Sequence, residues 1–151
     1  MELDKIDKHI LNILQADAKI TNAALAQTIN LSPAATLERV KKLEQNGIIK
    51  KYIAAIDYPQ LGFYVHLIVG VRLQKITAEN IKVFKLTIDK IASIITCYQV
   101  IGEFDFILLV HSQDIASYQI VVIEKLYMLS IVDHLKTLSV TQILKDKPLY
   151  L

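Results

Sequence analysis

Apolar residues recur at helical spacing through the first third of the chain and alternate with period two beyond it. Leu3, Ile6, Ile10, Ile13 and Leu14 share one face of a helix that Asp4 is placed to cap. Thr21 precedes a short second helix carrying Leu25, Ala26 and Ile29. The turn "INLS" follows, and Asn30 is one of the few non-glycine residues that tolerates a left-handed backbone there. Ser32 caps a third helix, and Pro33 takes its first position, where a missing N–H costs nothing. Leu37, Val40 and Leu43 form the expected inward stripe of this helix, and Asn46-Gly47 ends it. Residues 49–60 read as an extended connector with one strand, punctuated by Pro59 and Gly62.

The remainder predicts strand (Val65–Gln74), helix (Thr77–Ile91), strand (Ile94–Ile101), strand (Asp105–His111), helix (Asp114–Leu129) and strand (Val132–Leu144). Ile81, Phe84, Ile88 and Ile91 line the inner face of the first of these helices, and Ile115, Tyr118, Val122 and Leu129 that of the second. "HLIVGVRLQ" at 66–74 superposes on "DFILLVHSQ" at 105–113, a weak internal repeat. Strand-helix-strand twice over is the ferredoxin-like βαββαβ arrangement. The expected fold is therefore α+β: a three-helix helix-turn-helix domain over 1–49, a linker with a connecting strand over 50–61, and a βαββαβ domain over 62–151. Val65, Leu67, Val69, Val71 and Leu73 alternate with Ile68 and Gly70, and Phe106, Leu108 and Val110 with Ile107 and Leu109. Helices cover one face of such a sheet, so the second apolar face calls for a partner subunit.

Charge adds a function to the first domain. Five of the eight basic groups in residues 1–51 (Arg39, Lys41, Lys42, Lys50 and Lys51) fall between residues 39 and 51. An ordinary three-helix packing unit would show the same apolar stripes. The small residues Ala34, Ala35 and Thr36 at the amino end of the third helix, beside the Ser32 cap, favour close approach to base edges. Arg39, Lys42 and Lys50 follow as groove and phosphate contacts. Hydrophobic residues make up 53% of the chain, and its most apolar uncharged run, Tyr58–Val71, is too short and broken to span a bilayer. Met1 leads into Glu2 and Asp4, unlike a signal peptide. A single cysteine, Cys97, suits a reducing cytoplasm.

Within "VIGEFDFILLV" at 100–110, a glycine and two acids interrupt an apolar run. A hairpin turn with acids facing water explains them, and so does a small-molecule site. The wider pattern bears on this choice. "LDKIDKHILNILQADAKI" at 3–20, "LSPAATLERVKKLEQNGII" at 31–49 and "GEFDFILLV" at 102–110, in this order and spacing, resemble the Lrp/AsnC, or feast/famine, family of transcription regulators. The resemblance covers nearly the whole chain. It implies a sequence-specific DNA-binding transcriptional regulator of the cytoplasm and nucleoid, whose activity or assembly responds to an amino-acid effector. It further implies a homodimer joined through its sheets, assembling to higher oligomers such as octamers. The loop of the family often reads Gly-Asp-x-Asp; Glu103 here replaces the first acid, and Asp105 retains the second. By resemblance, Asp105 holds the ammonium group of the amino acid and the Gly102 backbone receives its carboxylate. Gln99, Ile101, Ile115, Thr137, Leu138, Ser139 and Val140 complete the pocket across a contact between dimers.

Catalysis is not expected. His9, His66, His111 and His134 are scattered without metal-ligand spacing, no nucleophile–base set emerges, and no glycine-rich phosphate loop is present. Proteins similar to this family that decarboxylate sirohaem provide an enzymatic alternative, for which Arg72 and His111 stand at equivalent places in the internal repeat. The basic third helix would then be unexplained. An amino-acid-binding module without DNA binding is the other alternative. No cofactor or metal is expected beyond the effector.

Overall fold

A computed structural model describes residues 2–151, which form two compact units. One runs through Ala55 and takes in Lys145–Leu151; the other is Ile56–Leu144. This division differs from that expected, since the last seven residues join the first unit.

The first unit holds α1 (Lys5–Ala16), α2 (Asn22–Thr28) and α3 (Pro33–Gln45). Asp4 Oδ1 accepts from Asp7 N–H at 2.7 Å, and Asp7 Oδ2 accepts from Asp4 N–H at 3.3 Å, a reciprocal cap on α1. Thr21 and Ser32 cap α2 and α3 by accepting from the Ala24 and Ala35 amides. Asn30 takes the left-handed turn at φ 55°. Gly47, at φ 69°, closes α3 with paired bonds: its N–H reaches Glu44 O at 2.9 Å, and the Ile48 N–H reaches Leu43 O at 3.0 Å. Ile10, Leu11, Leu25, Ile29 and Leu43 pack between the helices.

The phase of α3 departs from expectation. Thr36 is 0% exposed and Leu37 43%. A 37–40–43 stripe slides around the helix three residues at a time, whereas 36–40–43 keeps to one narrow face. The Thr36 hydroxyl donates to Ser32 O at 3.0 Å, so its polar atom is satisfied and burial of the side chain costs little. The connecting strand expected in the linker over 50–61 does not form: residues 50–57 belong to no helix or strand.

In the second unit, β1 (Val65–Leu73), β2 (Ile94–Gln99), β3 (Phe106–Ser112) and β4 (Val132–Ser139) form one antiparallel sheet in the order β2-β3-β1-β4. This is the α+β, ferredoxin-like βαββαβ arrangement expected. One crossover is α4 (Ala78–Ile88), capped by Thr77; the other is α5 (Ile115–Tyr118), a π-helical stretch (Gln119–Ile123) and α6 (Glu124–Tyr127). The wider turn buries the adjacent pair Val122 and Ile123, which a regular helix would splay apart. Ile115, expected on the inner face, is instead 58% exposed at the first position of α5. β4 stops at Ser139, not Leu144: Ser139 stands opposite Leu67 near the start of β1, and the last backbone bond between the two runs from Val140 N–H to His66 O. Leu67, Val69, Val71, Phe106, Leu108 and Val110 are buried under the helices. On the opposite face Ile68, Ile107 and Leu109 are half-buried, and Tyr98 and Leu138 are exposed.

Candidate functional site

The rotation of α3 decides what it presents. Ala34, Leu37, Glu38, Lys41 and Lys42 are exposed, as are Ser32 and Lys50 on either side of the helix, and Ala35 is half-buried. Thr36, expected at base edges, faces the core instead. Arg39, also expected in the groove, turns toward α1: its Nη1 donates to Asp7 Oδ1 at 2.7 Å and to Asp4 Oδ2 at 2.8 Å. Asp7 is buried, so this guanidinium neutralises a carboxylate that water scarcely reaches. The Asp7 amide and then Arg39 hold the Asp4 carboxyl below its ordinary value, and the two acids raise Arg39 above its own. Farther along, the Tyr52 hydroxyl donates to Glu44 Oε1 at 2.9 Å; burial and then that carboxylate push the phenol up to about 12.

In the second unit, the loop between β2 and β3 is bound to the end of β1. The Asp105 N–H donates to Val71 O at 2.9 Å, and Asp105 O accepts from Val100 N–H at 2.9 Å. Asp105 Oδ2 accepts from Leu73 N–H at 2.7 Å, where β1 shifts register, so one carboxylate oxygen closes the strand end and Oδ1 is left to accept from elsewhere. Gly102 adopts φ 150°, which side chains disfavour, and nothing lies within 4 Å of where a Cβ would stand. Glu103 reaches Lys136 Nζ at 3.5 Å, both side chains being exposed. Phe104 lies over Gly70 on the open face of the sheet.

The expected effector set divides in two within one chain. Gln99, Ile101, Gly102 and Asp105 gather at the β2–β3 loop. Ser139 stands opposite Leu67, roughly 13 Å along β1 from Val71, with Val140 beyond it, and Ile115 follows the far end of β3. Thr137 sits on the helix-facing side with its hydroxyl bonded to that of Tyr118, and Leu138 on the open face. A single chain therefore does not bring Ile115, Ser139 or Val140 to the loop.

Arg72 and His111 are not brought together either. His111 pairs with His66, six residues from Arg72 along β1, or roughly 20 Å. The His66 and His111 rings stack at 4.3 Å, and Tyr58 stacks on His111 at 4.1 Å. Burial, then His66, lowers the tendency of His111 to protonate. Among the described residues no three His, Cys, Asp or Glu side chains gather as metal ligands.

The family description "Winged helix-turn-helix DNA-binding" matches residues 3–50, and "Lrp/AsnC ligand binding domain" matches residues 66–150. The chain is 38% identical to the transcriptional regulator AzlB of Bacillus subtilis, over 82% of this chain and 79% of that one. It is 33% identical to the leucine-responsive regulatory protein of Escherichia coli, over 96% and 88%. Among solved structures, it resembles a transcriptional regulator of Neisseria meningitidis in complex with L-Met, at a TM-score of 0.92 and 26% identity, over 97% and 94% of the chains. Escherichia coli AsnC superposes at a TM-score of 0.89 with 25% identity, over 99% of both.

Proposed function

The chain belongs to the Lrp/AsnC family of transcriptional regulators, and on that premise we propose how its two units act. α3 enters the major groove of operator DNA, and the β2–β3 loop receives an amino acid that alters operator binding or assembly. The observation that carries this reading is the outward face of α3. Ala34 and Leu37 present apolar surface suited to thymine methyls, and Lys41, Lys42 and Lys50 present cations suited to phosphate. The L-Met complex of the Neisseria regulator makes a free amino acid the ligand class to test first. The setting is cytoplasmic, on the nucleoid.

Gel shifts with the protein's own upstream region test both halves, run with and without L-methionine or L-leucine. Lys42→Ala is expected to weaken binding to all duplexes alike and to flatten the dependence of affinity on salt by about one counterion per monomer. An unchanged salt slope in a K41A/K42A double variant would remove α3 from the interface. A shift profile indifferent to both, and equally to the other eighteen amino acids added one at a time, would remove the effector.

The divided effector set and the open sheet face both call for a second copy. Ile68, Ile107, Leu109, Tyr98 and Leu138 form an apolar surface that a second sheet would cover. Neighbouring dimers would then supply Ile115 and Thr137–Val140 to one another's loops. Light scattering at low micromolar concentration is expected to give at least twice the 17.1 kDa of one chain, with no folded species at the monomer mass. A compact, fully folded monomer would overturn this assembly.

A further inference from the structure

Gly70 sits in the middle of β1, where a β-branched or aromatic residue would ordinarily strengthen the strand. Its neighbours explain it. A Cβ built on Gly70 would lie 2.7 Å from Phe104 Cγ and Cδ2 and 2.8 Å from Cδ1, closer than real Cβ contacts come. The ring therefore rests directly on the backbone of the central strand. Across the sheet, Gly70 faces Ile107 on β3 and Lys136 on β4, and Lys136 Nζ lies 6.0 Å from the centre of the Phe104 ring while also approaching Glu103. Phe104 precedes Asp105 by one residue, so the position of its ring limits where the Asp105 backbone and carboxylate stand.

From this geometry we infer that Phe104, seated on Gly70, is the positioning residue of the ligand loop: the glycine is there to admit the ring, and the ring holds Asp105 against the end of β1. The inference rests on the effector reading of that loop, but its geometric part does not. Asp105 is bonded only within the plane of the sheet, to Val71 O and Leu73 N–H of β1 on one side and to Val100 N–H, just past β2, on the other. None of these bonds fixes the loop against lifting off the sheet face. The Phe104–Gly70 contact lies on that face and does.

Amide hydrogen exchange on the full chain tests the geometric part without a ligand. In Gly70→Ala and in Phe104→Ala, the Asp105 and Leu73 amides are expected to exchange about tenfold faster or more, because their acceptors sit on or beside a loosened loop. Leu108, in the buried part of β3, should keep its protection. Phe104→Tyr should behave as wild type. The G70A/F104A double variant should be no worse than F104A alone, since a glycine kept for the ring has no purpose once the ring is gone. Calorimetric titration with L-methionine and L-leucine reads the second part. The affinity of whichever binds wild type should fall about tenfold or more in G70A and F104A and be retained in F104Y. Wild-type exchange rates in G70A, or additive effects of the two substitutions, would overturn the inference. Should wild type bind neither amino acid, the effector reading fails, while the exchange rates still decide whether Phe104 positions the loop.

Discussion

Asp105→Asn is expected to lower affinity for the amino-acid effector by roughly 10- to 150-fold while leaving the fold intact. The two oxygens of Asp105 do different work. Oδ2 accepts from Leu73 N–H and closes β1, a task an amide oxygen performs nearly as well. Oδ1 is the group proposed to meet the ammonium of the ligand, and there charge matters. Losing a charge-assisted hydrogen bond costs about 1.5–3 kcal/mol, which sets the fold-change. The substitution therefore separates the two roles, whereas alanine would also orphan the Leu73 N–H and blur them. Glu103→Gln is the control: its partner Lys136 is exposed with it, and such a surface pair contributes about 0–1 kcal/mol at most. A thermal-shift screen of the twenty amino acids identifies the ligand, because binding only the folded state raises Tm. Calorimetry then compares wild type, D105N and E103Q. If D105N binds as tightly as wild type, the carboxylate is a strand cap and nothing more.

The caps and turns of the first unit were legible because each rests on local chemistry. Asp4, Thr21 and Ser32 each precede an apolar-periodic run, and Asn30 and Gly47 each end one. The βαββαβ order was legible for the same reason, since period two and period 3.6 differ plainly even over the 6 residues of the shortest strand. What failed was the phase of α3. Hydrophobicity alone prefers Leu37 to Thr36 in the core, but a threonine that bonds its own helix backbone buries a methyl without an unpaired hydroxyl, and geometry chose it. The pairing of Arg39 was not legible either, because Asp4 and Asp7 lie some thirty residues away at the start of α1 and no local pattern links them to it. Leu37 and Phe104 were missed as candidate site residues. Gly70 was the one available signal for Phe104, a glycine inside a strand otherwise rich in branched aliphatic residues. The division of the effector set between two ends of the sheet depends on register, which fixes distances that spacing along the chain does not.

Arg39→Met is expected to act on folding rather than on DNA contact. The methionine keeps the aliphatic stem but removes the cation that bridges Asp4 and Asp7. Asp7 would then hold a buried carboxylate with no counter-charge. Breaking a fully buried pair costs about 3–5 kcal/mol, and Arg39 is about a third exposed, so about 1–3 kcal/mol is the expected loss. For a unit of this size that lowers Tm by roughly 4–8 °C for each kcal/mol. Adding Asp7→Asn should recover most of the loss, because the amide still accepts from the Asp4 N–H and no longer carries a charge. DNA binding separates this role from the one first expected of the residue. Well below its melting temperature, R39M should bind operator with the salt dependence of wild type, whereas K42A should not. The reverse pattern, an unchanged Tm with a flattened salt slope in R39M, would return Arg39 to the groove. The pair of acids on α1 would then be its resting place in the absence of DNA.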